Sequence, residues 1–184
     1  MQEQKTGIVR RLDYLGRVVL PKEMRKTLRW KDNDPLEMYT VKDELVIRKY
    51  SPTGAILPIA ADVAEGIAEL TEKNCLITDS EEVIYCAGGK KKELIGKKIS
   101  DELDKIIRSG KSLLISRADG GEILSPAKNE IFLAENEIVV PIFSDGYGYG
   151  AVVLFDNEKE RTFNANDVKT VRLAALLLSK QLGE

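Results

Sequence analysis

Thr6-Gly7-Ile8-Val9-Arg10-Arg11-Leu12-Asp13-Tyr14-Leu15-Gly16-Arg17-Val18-Val19-Leu20-Pro21-Lys22-Glu23-Met24-Arg25-Lys26-Thr27-Leu28 divides into four pieces by its own chemistry. Thr6 to Leu12 reads as a strand. Asp13-Tyr14-Leu15-Gly16 reads as a turn, with Gly16 free to take a positive φ. Arg17 to Leu20 reads as a short second strand. Pro21 suits the first position of a helix, where its missing N–H is not needed, and that helix runs to about Leu28.

The helix carries the first candidate site. Helical spacing places Lys22, Arg25, Lys26 and Arg29 on one face, with Met24 and Leu28 opposite. Arg10, Arg11 and Arg17 add charge on the adjoining strands. Clustered cations of this kind bind the closely spaced phosphates of duplex DNA, and arginine also reads guanine O6 and N7. Arg10 and Arg11 point to opposite faces of one strand. A solvated polar face is the commoner meaning of a charged helix. Such faces usually mix signs, and here only Glu23 intrudes, at the border.

Downstream, Asn33-Asp34-Pro35 breaks the chain, and Leu36–Val41 and Glu44–Tyr50 form a hairpin about Lys42-Asp43. Ser51-Pro52-Thr53-Gly54 is the best linker, so the domains are expected at 1–52 and 53–184. Residues 1–52 carry 12 Lys/Arg against 8 Asp/Glu, and 53–184 carry 16 against 22. A basic head therefore precedes an acidic body, and the net charge of −2 hides the division. Fifty residues of short strands and one two-turn helix bury little apolar surface. With no metal or disulfide to help, the head is expected to be an obligate homodimer.

In the body, Ile56, Ala60, Val63, Ile67 and Leu70 form an a/d stripe on a helix, weakened by Gly66. Strands are expected at Cys75–Asp79, Glu82–Cys86, Ser112–Ser116, Glu122–Leu124, Ile131–Ala134, Asn136–Phe143 and Tyr149–Phe155. Lys90–Arg108 reads as helical. Pro141 makes its strand an edge or a bulged one. A closing helix from Ala165 to Leu182 is capped by Asn164, carries Asp167 in its first turn and ends at Gly183. Val168, Val171, Ala175, Leu178 and Leu182 mark its inner stripe. Leu173, Ala174, Leu176 and Leu177 fill other faces, so one side packs on the sheet and another on a partner chain. The class is α+β: a central antiparallel sheet with the terminal helices on one face.

Composition removes several chemistries. The 184 residues contain no His, so neither a Ser-His-Asp triad, a Cys-His pair nor an imidazole metal site can be built. Two cysteines cannot make a four-Cys zinc site, and no metal or cofactor is expected. The longest apolar run, Leu173–Leu178, is far short of the roughly 20 residues of a membrane span. The N-terminus lacks a signal-peptide apolar core, so a cytoplasmic protein with reduced thiols is expected.

Two smaller features need weighing. Gly146-Tyr147-Gly148-Tyr149-Gly150 superficially matches a phosphate loop. Its spacing is wrong for a dinucleotide fingerprint and it opens a strand, so it reads as a hairpin turn. If Ser80-Glu81 is a two-residue turn, Cys75 stands opposite Cys86 at a separation that permits a disulfide. The plainer reading is two small buried residues in a reducing compartment.

The quoted stretch, with Asp34-Pro35-Leu36-Glu37-Met38 and Ile47-Arg48-Lys49-Tyr50-Ser51-Pro52, resembles the swapped-hairpin DNA-binding domain of AbrB-type transition-state regulators. Val139-Val140-Pro141-Ile142 followed by Tyr149-Gly150-Ala151-Val152-Val153-Leu154 resembles part of a GAF domain. The resemblance implies a dimeric sporulation regulator, located in the forespore, whose two heads interleave into one β-barrel-like basic surface on double-stranded DNA. It maps the family's DNA-contacting arginines onto Arg10, Arg17, Arg25 and position 26. Lys26 departs from that pattern: lysine keeps the charge without the planar fork, which favours a phosphate over a base. The body then either senses an unidentified small-molecule effector or only joins heads, as in a homotetramer. Two other readings stay open: a GAF-fold cysteine-dependent enzyme, and a swapped-hairpin antitoxin.

Overall fold

The computed structural model describes residues 7–28, 30–32, 34–50, 53–89, 92–159 and 162–182. Thr6, Arg29, Asn33, Ser51, Pro52, Lys90 and Gly183, all used in the sequence reading, lie outside the described residues. The chain divides into two compact units, Met1–Tyr50 and Ser51–Glu184.

In the first unit the described residues give one short helix, α1 (Lys22–Thr27), and one hairpin, β1 (Leu36–Val41) with β2 (Glu44–Lys49). Pro21 sits one place earlier than expected: it is the N-cap residue, and its carbonyl accepts from Arg25 N at 3.1 Å. The hairpin pairs Val41 with Glu44 across Lys42-Asp43, as the alternation predicts. Glu37 faces Arg48, and Arg48 Nε donates to Glu37 Oε1 at 2.7 Å. The two strands expected at 6–12 and 17–20 do not form among the described residues 7–12 and 17–20, which lack strand pairing. Between them the Asp13–Gly16 turn forms, with Gly16 N donating to Asp13 O and Gly16 at φ 75°.

The second unit is built on a five-stranded antiparallel sheet of order β4-β3-β7-β6-β5. The strands are β3 (Asn74–Asp79), β4 (Val83–Ala87), β5 (Leu113–Ser116), β6 (Asn136–Ser144) and β7 (Tyr147–Asp156). One face is covered by α2 (Thr53–Thr71) and α4 (Ala165–Gln181), the first and last elements of the unit. The other face is covered by α3 (Asp101–Ser109) and the irregular chain around Ala127, Phe132 and Ala134. Phe132 packs edge-on against Phe155 of β7, ring centroids 4.8 Å apart. Strand alternation explains the two cores. Ile138, Val140 and Ile142 of β6 face the long helices, and Val139 faces α3.

Both sheet-covering helices obey their sequence signals, with one shift. Asn164 caps α4 in a complete capping box: its side chain accepts from Asp167 N, and Asp167 Oδ2 accepts from Asn164 N at 2.9 Å. Val171, Ala175 and Leu178 of the expected stripe are buried, Val168 and Leu182 are only partly so, Ala174 turns inward where another face was expected, and Leu173, Leu176 and Leu177 stay about half exposed. In α2 the buried stripe is Ile56, Ala60, Ala64 and Ile67, so Leu70 is left exposed and Val63 is only partly covered.

Four expectations in the body are corrected. The helix expected at 90–108 divides: a 3-10 turn at Lys92–Leu94 ends at Gly96, φ 76°, and α3 starts afresh at its cap Ser100. The strands expected at 122–124 and 131–134 are irregular: in the first, Leu124 N donates to the Glu137 side chain, and between them Ser125 Oγ donates to Ala127 O and Glu130 O. Pro141 meets its expectation of a bulged strand, although that strand is an inner one. It is tolerated because β5 pairs only with Asn136–Val139, so at position 141 that side is already an edge, and a register shift follows at Ile142/Phe143.

The fourth correction concerns the thiols. Asp79 and Glu82 do pair, but Ile77 faces Tyr85 and Thr78 faces Val83, so Ile84 is a bulge. The one-residue slip sets Cys75 against Ala87 and Cys86 against Leu76. Cys75 enters the core beneath α2 and α4, and Cys86 enters the core beneath α3. A disulfide between opposite faces of a sheet is sterically closed to them.

Gly146-Tyr147-Gly148-Tyr149-Gly150 is a hairpin, as read. Asp145 and Gly146 take φ 51° and 84° in the two-residue turn that joins β6 to β7. Gly148 and Gly150 serve close packing: a Cβ there would strike Ile107 O of α3 and Thr78 O of β3.

Glu137 is the largest buried charge-bearing side chain. It shows no exposure, and its Oε1 has no partner. Burial pushes its carboxyl up to about 7, against the hydrogen bond from Leu124 N, which acts the other way. Between about 4.5, the unfolded value, and about 7 the folded state holds a proton that the unfolded state has lost. Stability contributed here is full below that window and is lost as pH rises through it. Glu137→Gln is expected to exceed the wild type in stability at pH 8 by up to roughly 3 kcal/mol, with the gap closing toward pH 5. Urea unfolding at the two pH values checks this; an equal gap at both would contradict it.

Candidate nucleic-acid interface

The basic side chains of the first unit are placed by the turn and by α1. Arg10 and Arg11 are exposed on extended chain before the turn, and the single chain does not separate them. Arg17 leaves the turn directly after Gly16, its side chain 69% exposed. Lys22 and Lys26 are exposed on α1, and Arg25 is half-buried between them. Lys22, Arg25 and Lys26 line a hollow of about 450 Å³ with Trp30, Lys31 and Asp32. Arg29 lies outside the described residues. The structure thus brings Lys22, Arg25 and Lys26 to one hollow, with Arg17 on the turn that precedes their helix.

Two acidic residues sit among these cations, and sequence reading gave neither a role. Asp32 Oδ1 accepts from Arg25 Nη1 at 2.8 Å, while Arg25 Nε is buried without a partner. Asp32 is 88% exposed, so this single bond is worth little on its own. Asp13 does more. Its Oδ1 accepts from Leu15 N at 2.9 Å and Arg17 N at 2.8 Å, and its Oδ2 accepts from Arg17 Nε at 2.8 Å. These bonds favour the carboxylate, so the backbone N–H of Arg17 first, then its side chain, hold Asp13 below the usual range. The spacing Asp13-Tyr14-Leu15-Gly16-Arg17 was the available signal: an aspartate that closes its own turn over a glycine.

The apolar side of this unit is uncovered. Val9, Leu12, Tyr14, Val18, Val19, Met24, Leu28 and Leu45 are all exposed. Among the described residues of the unit only Pro21 is buried. The anchor expected from Met24 and Leu28 is only partly covered among the described residues, at 40% and 50% exposure.

Residues 56–183 match the family described as stage V sporulation protein T C-terminal, transcription factor. Stage V sporulation protein T of Bacillus subtilis is 35% identical over 96% of this chain and 97% of its own. The chain belongs to the stage V sporulation protein T family. Residues 9–55 match the family described as antidote-toxin recognition MazE, bacterial antitoxin. In the same region the transition state regulatory protein AbrB of Bacillus subtilis is 47% identical, over 27% of this chain and 51% of its own. The second unit has the GAF fold. The GAF-B domain of DevS from Mycobacterium smegmatis superposes with a TM-score of 0.55 at 16% identity, covering 72% of this chain and 93% of that domain. An identity so low shows shared architecture alone. This member of the stage V sporulation protein T family is thus an α+β chain with an AbrB-like head and a GAF-like body.

The Asp13–Gly16 turn is testable at its glycine. A Cβ at Gly16 meets open space, and the penalty at φ 75° is backbone strain alone. Gly16→Ala is expected to destabilise the head by about 1–2 kcal/mol. Trp30, the sole tryptophan, reports the head's urea unfolding by fluorescence.

Proposed function

We propose that this protein is a sequence-specific DNA-binding regulator of sporulation genes. Residues 1–52 form the DNA-binding and dimerisation domain, and residues 53–184 form a GAF-like domain that joins dimers. The observation that carries the reading is one small unit that presents Arg17, Lys22, Arg25 and Lys26 while its apolar side chains stand uncovered. A second head covers those side chains and doubles the cations, which makes one continuous basic surface. The 35% identity to a sporulation protein along the whole chain supports the same reading.

The body supports tetramers. Leu173, Leu176 and Leu177 of α4 and Leu57 and Leu70 of α2 leave apolar surface on helices that already share one face of the sheet. Packed against a second body they form a small helical bundle. Two DNA-binding surfaces then act together, and affinity rises by effective concentration. An effector role would attach to this unit as well. Adjacent clefts of about 360 and 400 Å³ share Ser116 and the buried Asn136 at the end of β5.

The enzyme reading is the weaker one. Cys75 and Cys86 form no disulfide with each other and are buried on opposite faces, and burial pushes the Cys75 thiol well up, which opposes a nucleophilic thiolate. The antitoxin reading draws on the description attached to residues 9–55, whereas the transcription-factor description takes in 56–183.

Phosphate contacts release counterions, so log K falls linearly with log salt. If about half of Arg10, Arg17, Lys22, Arg25, Lys26 and Arg29 touch phosphate, a dimer makes roughly six contacts and the slope is expected near −5. A slope near zero by fluorescence anisotropy would leave the basic face as solvated surface. Arg17→Ala is expected to lose about 1–3 kcal/mol of specific binding per head, with the dimer intact. Light scattering of the full chain at micromolar concentration separates a tetramer from a dimer.

A further inference from the structure

We propose that Asp13 is the positioning residue that sets Arg17 for base reading. The inference rests on the DNA-binding reading above and assigns a specificity-determining part to an acidic side chain within the basic face.

One carboxylate holds Arg17 at both ends. Asp13 Oδ1 takes the backbone N–H groups of Leu15 and Arg17, which closes the turn. Asp13 N donates to Arg17 O at 3.1 Å, so the peptide units on both sides of Arg17 are fixed to the same residue. Asp13 Oδ2 then takes Arg17 Nε at 2.8 Å, which fixes the guanidinium plane relative to that backbone. A guanidinium carries five N–H donors in a rigid fork. With Nε spent on Asp13, Nη1 and Nη2 have no acceptor among the described residues, and the side chain is 69% exposed. Those two nitrogens are the end-on pair whose spacing fits guanine O6 and N7.

Charge arithmetic makes the reading distinctive. A phosphate contact needs only positive charge, and Asp13 lowers the local charge by one. If non-specific affinity were all that this corner supplied, the aspartate would oppose it. Its geometry is of use when one orientation of Arg17 must be held before the base arrives, so that ordering is not required on binding. Lys22 and Lys26 have no fork to orient.

The experiment compares binding of full-length protein to two duplexes of equal length and composition. One is selected from a random pool by the wild type, and the other is its scramble. The readout is the ratio of the two affinities, with the salt slope on the scramble. Asp13→Asn keeps an oxygen for the turn's two amides and loses the charged acceptor for Nε. The expected result is a specificity ratio reduced at least tenfold, with affinity for the scramble unchanged or raised. Arg17→Lys is expected to lower the ratio similarly, and Asp13→Asn on that background is expected to lower it no further. A ratio within twofold of wild type in Asp13→Asn overturns the assignment while leaving DNA binding standing. An equal fall on both backgrounds also overturns it, since a purely structural role acts whatever stands at 17. A wild type that selects no duplex from the pool overturns both readings together.

Discussion

Val9, Val19, Met24, Leu28 and Leu45 cannot be buried by the described residues of their own unit, and this shortage of covering surface governs the first 50 residues. Burial of apolar area stabilises by about 25 cal/mol per Å², and the unit realises little of it alone. The two segments flanking the Asp13 turn lack strand pairing among the described residues and expose most of their side chains. Under the proposed dimer both deficits have one remedy, a second copy whose segments pair with these. The local parts that need no partner are already formed in the single chain: the turn, the six residues of α1 and the hairpin of β1 and β2. What forms alone is what sequence-local bonds can hold.

The second unit meets the opposite condition. Its sheet is covered on both faces, so nearly every residue from Ile138 to Ile142 and from Ala151 to Phe155 is buried. Two-sided cover imposes close approach. It explains why Gly148 and Gly150 pass under α3 and against β3, where a side chain would meet backbone carbonyls. It also explains the isolation of Glu137: the irregular chain that covers the α3 face supplies one N–H, from Leu124, and leaves the second oxygen orphaned. Lys73 and Asp167 show the alternative. They pair at 3.3 Å where α2 ends and α4 begins, and Asp167 also closes the capping box. That charge is satisfied because it lies at element ends, where polar partners gather.

Sequence reading succeeded where a signal is local and failed where a neighbour decides. The Lys42-Asp43 turn, the hairpin read at 146–150 (its turn falling one residue earlier, at Asp145-Gly146), the Asn164 box and the apolar stripe of α4 are each complete within a few residues. The order of units and the two helices on one face follow from those stripes. The thiol pairing failed through one bulged residue, Ile84, which shifts the register beyond the expected Asp79–Glu82 turn. No alternation of apolar and polar residues announces that. The 122–134 segment failed for a related reason. Its residues have strand composition, but Ser125 and Glu137 side chains take polar groups of its backbone in place of a neighbouring strand. At the candidate site the cations were legible by type and spacing. The aspartates were not, because counting charge treats a nearby acid as a subtraction.

Under the DNA-binding reading, that subtraction divides labour among the cations. Charge attracts any duplex, and an unclamped cation such as Lys26 adds to affinity for all sequences alike. An arginine tied by Nε adds less to attraction, since its partner cancels part of the field, and gains in direction what it loses in charge. Departure from arginine at position 26 is consistent with this division. A site needs some contacts that tolerate sequence, to hold the protein on DNA, and others that do not, to tell it where to stay. Lysine at 26 and the Asp13–Arg17 clamp fall on opposite sides of that line. The same chemistry explains why the clamp sits on the turn and not on α1. The turn's own backbone needs Asp13 in place, so the residue that orients Arg17 is held by bonds that exist before DNA arrives. A carboxylate on a six-residue helix would have only its own rotamer to hold it.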